Sequence, residues 1–293
     1  MTTASTTDRD TRPATTSEVQ PGEQQKFGAG FWGSVGWLTL VTLGAIFSPL
    51  LPLPDPKAQL TGPPFASPSL HHLFGTDIIG HDLFSQVVYG ARISIVVGAA
   101  SVAIGLLVGG SLGIAAGYAR GAADATLMWV TDVLITFPAL ILALTLVSFA
   151  GPSLGSVLVA IVLLSIPVYA RIARATTLLY AQQDFVLAAH MMGATRIRIM
   201  LREITPNVAV RLLSYAALGA SVAILAEGGL AYLGLSVPGS LSWGSMIAQG
   251  QSQLRDAPQA AFAPMIGMFL TLLALNVIGE RLGASIDPRE SQL

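Results

Sequence analysis

The side chains of this sequence that could do chemistry in an apolar setting are a few carboxylates, histidines and prolines among long uncharged runs. Asp132 heads the run Val133 to Ala170, and Glu227 closes the run Leu212 to Ala226 just before Gly228 and Gly229. A carboxylate at the centre of a membrane helix costs about 3 kcal/mol on insertion scales, while each Leu or Ile returns roughly 0.5 kcal/mol. An acid near the end of such a run is therefore tolerated, and Glu227 is a candidate either for lining a pathway or for anchoring a turn. Pro138 and Pro167 each delete a backbone hydrogen bond, which bends a helix and either opens a cavity or serves packing alone. His71, His72 and His81 share a segment with Asp77 and Asp82, ligand types for a divalent ion, but at a spacing that matches no defined metal site. The chain has no cysteine, which removes thiolate catalysis and Cys-based metal sites. It also lacks HExxH, GxSxG and a paired-carboxylate helix, so no catalytic, cofactor-binding or metal-ligating residue is expected.

The elements that hold these residues follow from where charge is absent. Hydrophobic residues make up 53% of the 293 and charged residues only 11%, too few to coat a water-soluble surface, so a membrane is the implied solvent. The net charge of -1 argues against a nucleic-acid partner. A crossing needs about 20 apolar residues. On that rule the spans are predicted at about 31–51, 93–119, 133–150, 154–170, 208–226 and 257–279, with Gly151-Pro152-Ser153 breaking one long run into a hairpin. Residues 1–30 read as a disordered cytoplasmic tail, 53–90 as an external loop, 171–207 as a cytoplasmic segment and 228–256, with its glycines, serines and Pro238, as external or re-entrant. With both termini inside, only Lys57, Arg92 and Arg255 of the 15 Lys and Arg fall outside, as the positive-inside rule requires of a multi-pass plasma or inner membrane protein.

Two patterns go beyond span-making. Gly105, Gly109, Gly113 and Gly117 recur every four residues, giving the second span a side-chain-free face for helix packing. They are not a phosphate loop, because no strand precedes them and no Lys follows. From Asp184 to Asn207, Val186, Ala189, Gly193, Ile197, Met200 and Ile204 recur at helical spacing, which predicts an amphipathic helix capped by Asp184 and ended by Pro206. Ala188, Ala189 and Gly193 give it a shoulder of small residues suited to insertion into a partner's groove. The competing expectation is an interfacial helix held by its arginines to anionic lipid headgroups.

With these residues in view, the chain resembles the permease family of ABC importers, specifically the C-type subunit of the dipeptide/oligopeptide/nickel group, from Phe31 to Arg289. The resemblance rests on His72 to Ser94, on DVLITFP (Asp132 to Pro138), on Tyr169 to Asn207 as the family's cytoplasmic EAA loop, and on AYLGLS (Ala231 to Ser236), SWG (Ser242 to Gly244) and DPR (Asp287 to Arg289). It departs at His81 (usually Arg), Leu187 (usually Glu), Glu203 (often His) and Gly279 to Ser285, which lacks the usual Arg-Asp pair.

The resemblance implies an all-α integral membrane fold of the type I importer kind, about six spans with a cytoplasmic coupling helix. It implies ATPase coupling through Ala188, Ala189, Gly193, Arg196, Pro206 and Asn207, with Asp132, Pro138, Glu227 and Trp243 as pathway or gate candidates. The implied partners are a homologous permease, two ATP-binding subunits or one fused, an extracytoplasmic solute-binding protein and membrane lipid, with ATP and Mg held by the ATPases. The expected solute is a short peptide. The alternatives are a nickel or other small-solute permease of the same family, or a stand-alone secondary transporter, which would need coupled intramembrane charges or inverted repeats.

Overall fold

The structure, a computed structural model, describes residues 28–58 and 61–286. Almost all of the expected N-terminal tail, and the motif Asp287 to Arg289, lie outside these. The described chain is helical, with α1 (Ala29–Phe47), α2 (Leu83–Ala119), α3 (Gly121–Thr136), α4 (Ala139–Ala150), α5 (Leu154–Tyr180), α6 (Asp184–Met191), α7 (Arg196–Ile199), α8 (Thr205–Ser214), α9 (Ala216–Leu230), α10 (Trp243–Gly250) and α11 (Gln259–Ile286). Five helices are long and apolar enough to cross a membrane, and six crossings result if α3 and α4 are counted as one bent span.

Helix ends follow caps rather than charges. Helix α2 begins ten residues ahead of the expected 93 because the Asp82 carboxylate accepts from the Ser85 N–H at 2.8 Å, and Arg92 continues the helix without interrupting it. Helix α5 starts at a reciprocal cap between Ser153 and Ser156 and runs past Ala170 to Tyr180, with Pro167 inside it. The expected third span is divided. Phe137 is extended (φ -73°, ψ 133°), as a residue before proline prefers, and α3 and α4 meet across Pro138 at 86°. In the segment 228–256, α10 is only eight residues long, too short to cross, and it packs against α11, α9 and α2.

The glycine face of α2 meets α5, the most extensive helix pairing among the described residues. A Cβ at Gly105 would stand 2.9 Å from Tyr169 Cδ2, one at Gly117 would stand 2.9 Å from the Arg174 carbonyl, and at Gly109 and Gly113 it would run into the Ile166 and Ala170 carbonyls. Each step of four along α2 matches a step of four along α5, so the two helices run parallel with their backbones in contact. Helix α1 is the opposite case, with Ala45 its only buried residue.

The expected single helix over 184–207 is instead a two-armed elbow. Helix α6 is preceded by Gln183 as its cap, with Asp184 already helical. It closes in a Schellman turn, in which Ala194 N–H donates to the Ala189 carbonyl (3.1 Å), Gly193 N–H donates to the His190 carbonyl (3.0 Å) and Gly193 takes φ +80°. Thr195 then caps α7, and a single π turn, Met200–Ile204, joins α7 to α8. Pro206 sits in the first turn of α8 and does not end the helix. The π turn shifts bonding to i→i−5, Thr205 N–H donating to the Met200 carbonyl, so the N–H that proline lacks is absorbed at a change of register.

Candidate functional site: a two-armed elbow and a buried acid

The elbow is buried on one side only. Val186, Ala189, Ile199, Ile204 and Val208 join Ile114, Tyr169, Ala173 and Leu212 in one core cluster, which fixes both arms to the ends of α2 and α5. The other side carries Leu187, Ile197 and Leu201, with Met191 and Met192 each 81% exposed, and Ala188, Arg196, Pro206 and Asn207 are exposed as well. A Cβ at Gly193 would meet nothing within 4 Å. Of the expected coupling residues only Ala189 is turned inward, and the Asn207 side-chain amide donates to the Glu203 carbonyl at 2.6 Å. The elbow therefore has one face packed into the core and one face that carries exposed apolar side chains.

The four pathway candidates fall at three places. Glu227 and Trp243 come together at the junction of α2, α9 and α10. Glu227 is 4% exposed and accepts from Ser94 Oγ at 3.2 Å. Ser94 Oγ also accepts from the Trp243 backbone N–H at 3.4 Å, while Trp243 Nε1–H donates to the Val87 carbonyl at 2.9 Å. Beside them a Cβ at Gly244 would stand 2.5 Å from the Gly228 Cα, so α10 is laid directly on α9. Asp132 lies apart, exposed, and accepts a hydrogen bond from Arg171 Nη2. A second pair, Arg174 Nη2 to Asp124 Oδ2 at 2.6 Å, repeats the tie between α3 and α5. Pro138 is the hinge already described. Sequence reasoning missed Ser94, whose only signal is that it closes the motif beginning at His72, and the arginine partners on α5.

Two of the histidines in the 53–90 loop form separate pairs. His72 Nδ1 lies 2.9 Å from Asp82 Oδ1, and His81 Nδ1 lies 2.7 Å from Asp77 Oδ2. Asp82 also caps α2 and so ties the loop to the helix it enters, while Asp77 accepts from Ile79 and His81 N–H and holds a turn within the loop. Among the described residues no three His, Cys, Asp or Glu converge as metal ligands.

An α-helical membrane bundle with parallel helices in backbone contact, a short tucked-in helix and an apolar elbow is the architecture of a transport permease subunit. Its fold matches a chain of the MetNI methionine ABC transporter in an inward-facing crystal form, with a TM-score of 0.58 at 17% identity, covering 69% of this chain and 96% of that one.

The family of binding-protein-dependent transport system inner membrane components matches residues 109–292, and the chain belongs to it as a multi-pass permease subunit of an ABC importer. It is 39% identical over 253 residues to a protein designated a peptide transport system permease in Brucella suis biovar 1, covering 86% of this chain and 85% of that protein. It is 36% identical over 223 residues to a glutathione transport system permease of Pectobacterium atrosepticum (76% and 74%), and 34% identical over 258 residues to a dipeptide transport system permease of Alkalihalophilus pseudofirmus (86% and 83%).

Proposed function

We propose that this chain forms half of the translocation pathway of an ATP-driven importer for short peptides and receives force through the elbow at 184–207. The observation that carries this reading is the elbow's split character, with one side locked into the core by Val186, Ala189 and Ile199 and the other leaving Leu187, Met191, Met192 and Ile197 exposed among the described residues. A load applied to such a unit passes into α2 and α5 together, because their backbones touch at Gly109, Gly113 and Gly117 and Gly105 packs on Tyr169. The peptide assignment is supported by the relatives' designations as peptide, dipeptide and glutathione permeases.

In this reading a homologous permease supplies the other half of the pathway and an extracytoplasmic binding protein delivers solute. Two ATP-binding subunits, or one fused subunit, dock on the elbow and hold ATP and Mg, and this chain contributes no catalytic group or cofactor. Both termini and the elbow lie in the cytoplasm, and 53–90 and α10 lie toward the outside. Asp132 and Arg171 sit at the inner end of the bundle, while Glu227 and Trp243 brace the seat of α10 within it. The experiment is reconstitution of the chain with its permease, ATPase and binding-protein partners in vesicles. ATP-dependent uptake of labelled di- and tripeptides is expected. Uptake without ATP, or ATP hydrolysis indifferent to every peptide offered with the binding protein, would overturn the reading.

A further inference from the structure

A recess of about 320 Å³ lies between the elbow and the ends of α2 and α5, over a floor that includes Ala181 and Val186. Arg120, His190 and Arg196 line it, one from the end of α2 and one from each arm of the elbow, and none of the three has an ion-pair partner among the described residues. The fourth polar lining residue, Tyr118, has a buried hydroxyl with no hydrogen-bond partner. Arg120 also holds φ 56° and ψ -175°, a conformation rare outside glycine, where α2 gives way to α3. Such strain persists where the surroundings impose it. Two guanidinium groups and an imidazole, with no carboxylate among the lining residues, bring donors and positive charge to a single small volume.

The complement to that set is an anion with several acceptor oxygens. Guanidinium forks match phosphate oxygens in pairs, and basic pockets at the cytoplasmic ends of membrane helices suit anionic headgroups. Both α2 and α5 are long and apolar enough to cross a membrane, and we take their shared end to reach headgroup level. We infer that the recess binds the phosphate of an anionic inner-leaflet lipid, which then pins the two elbow arms to the end of α2. The inference rests on the importer reading only for assigning this side to the cytoplasm and for its consequence in coupling.

Native mass spectrometry of the purified full-length chain, with phosphatidylglycerol or phosphatidylcholine added, tests the site directly. The wild type is expected to retain phosphatidylglycerol selectively, Arg120→Gln to lose about fivefold of that retention, and Arg120→Lys to fall between the two, since one basic group near anionic lipid is worth about that factor. Equal retention of both lipids by the wild type, or undiminished retention by Arg120→Gln with an unchanged melting temperature, overturns the site. Displacement of the lipid by millimolar inorganic phosphate overturns lipid as the source. In the reconstituted importer, phosphatidylglycerol should raise peptide-stimulated ATP hydrolysis in the wild type more than in Arg120→Gln. Equal stimulation of both would overturn the lipid's role in coupling, whereas absence of peptide-stimulated ATP hydrolysis in every lipid, with selective retention intact, would instead count against the importer reading.

Discussion

Gly113 on α2 and Gly193 in the elbow both belong to short patterns of small residues, yet a Cβ on Gly113 would run into the Ala170 carbonyl and a Cβ on Gly193 would find open space. The first pattern is filled by the chain's own α5. The second stands open among the described residues with exposed methionines beside it, and what the chain itself asks of Gly193 is its φ of +80°. Small residues at helical spacing therefore mark close approach without naming the partner. The patterns differ in what surrounds them: a long uncharged run encloses Gly113, whereas charge and exposed methionine flank Gly193.

Substitutions at the two positions sharpen that contrast. The largest effect is expected at Gly113→Leu, which puts a branched side chain where two backbones touch. Overpacking of this kind costs about 3 kcal/mol, and thermal unfolding in detergent should show the loss or fail to yield folded chain. Unchanged stability would mean that α2 and α5 do not pack as described. Next comes Gly193→Trp, expected to leave the bundle folded while peptide-stimulated ATP hydrolysis falls more than tenfold. A left-handed conformation costs a non-glycine residue about 1–2 kcal/mol. Gly193→Asn, which tolerates that conformation, separates strain from docking and should keep most of the coupling.

Glu227→Gln keeps the shape and an acceptor for Ser94 Oγ, so it should cost about 1 kcal/mol of stability and leave the half-saturating peptide concentration unchanged. A shifted half-saturation at unchanged stability would make Glu227 a pathway residue. The smallest effect belongs to Asp132→Asn, because both partners of the Arg171–Asp132 pair are about half exposed (47% and 59%). Such a pair contributes roughly 0.5 kcal/mol, and a melting-temperature change beyond a few degrees would show that it does more.

The uncharged runs were legible in the sequence because insertion energetics act on composition, and five long apolar helices stand at those runs. Helix ends were not legible from charge, since Arg92 and Arg174 lie within helices whose ends are set by hydroxyl and carboxylate caps at Asp82 and Ser153. The elbow was half legible. Its apolar spacing gave the buried face, but Gly193 reads equally well as a small packing residue or a left-handed turn, and the sequence offers no sign of the π turn that lets Pro206 enter a helix. Glu227 was visible as an isolated acid, while its burial depends on Ser94 and Trp243, which lie far from it in sequence.

The central claim is that the exposed side of the elbow meets an ATPase subunit. The chain has no cysteine, so single substitutions report cleanly. In the assembled importer, Met191→Cys should form a cross-link to the ATP-binding subunit with a short thiol reagent, while Trp32→Cys on the outward face of α1 should form none. An elbow cysteine that reacts with lipid-soluble reagents and never cross-links to the ATPase would contradict the account.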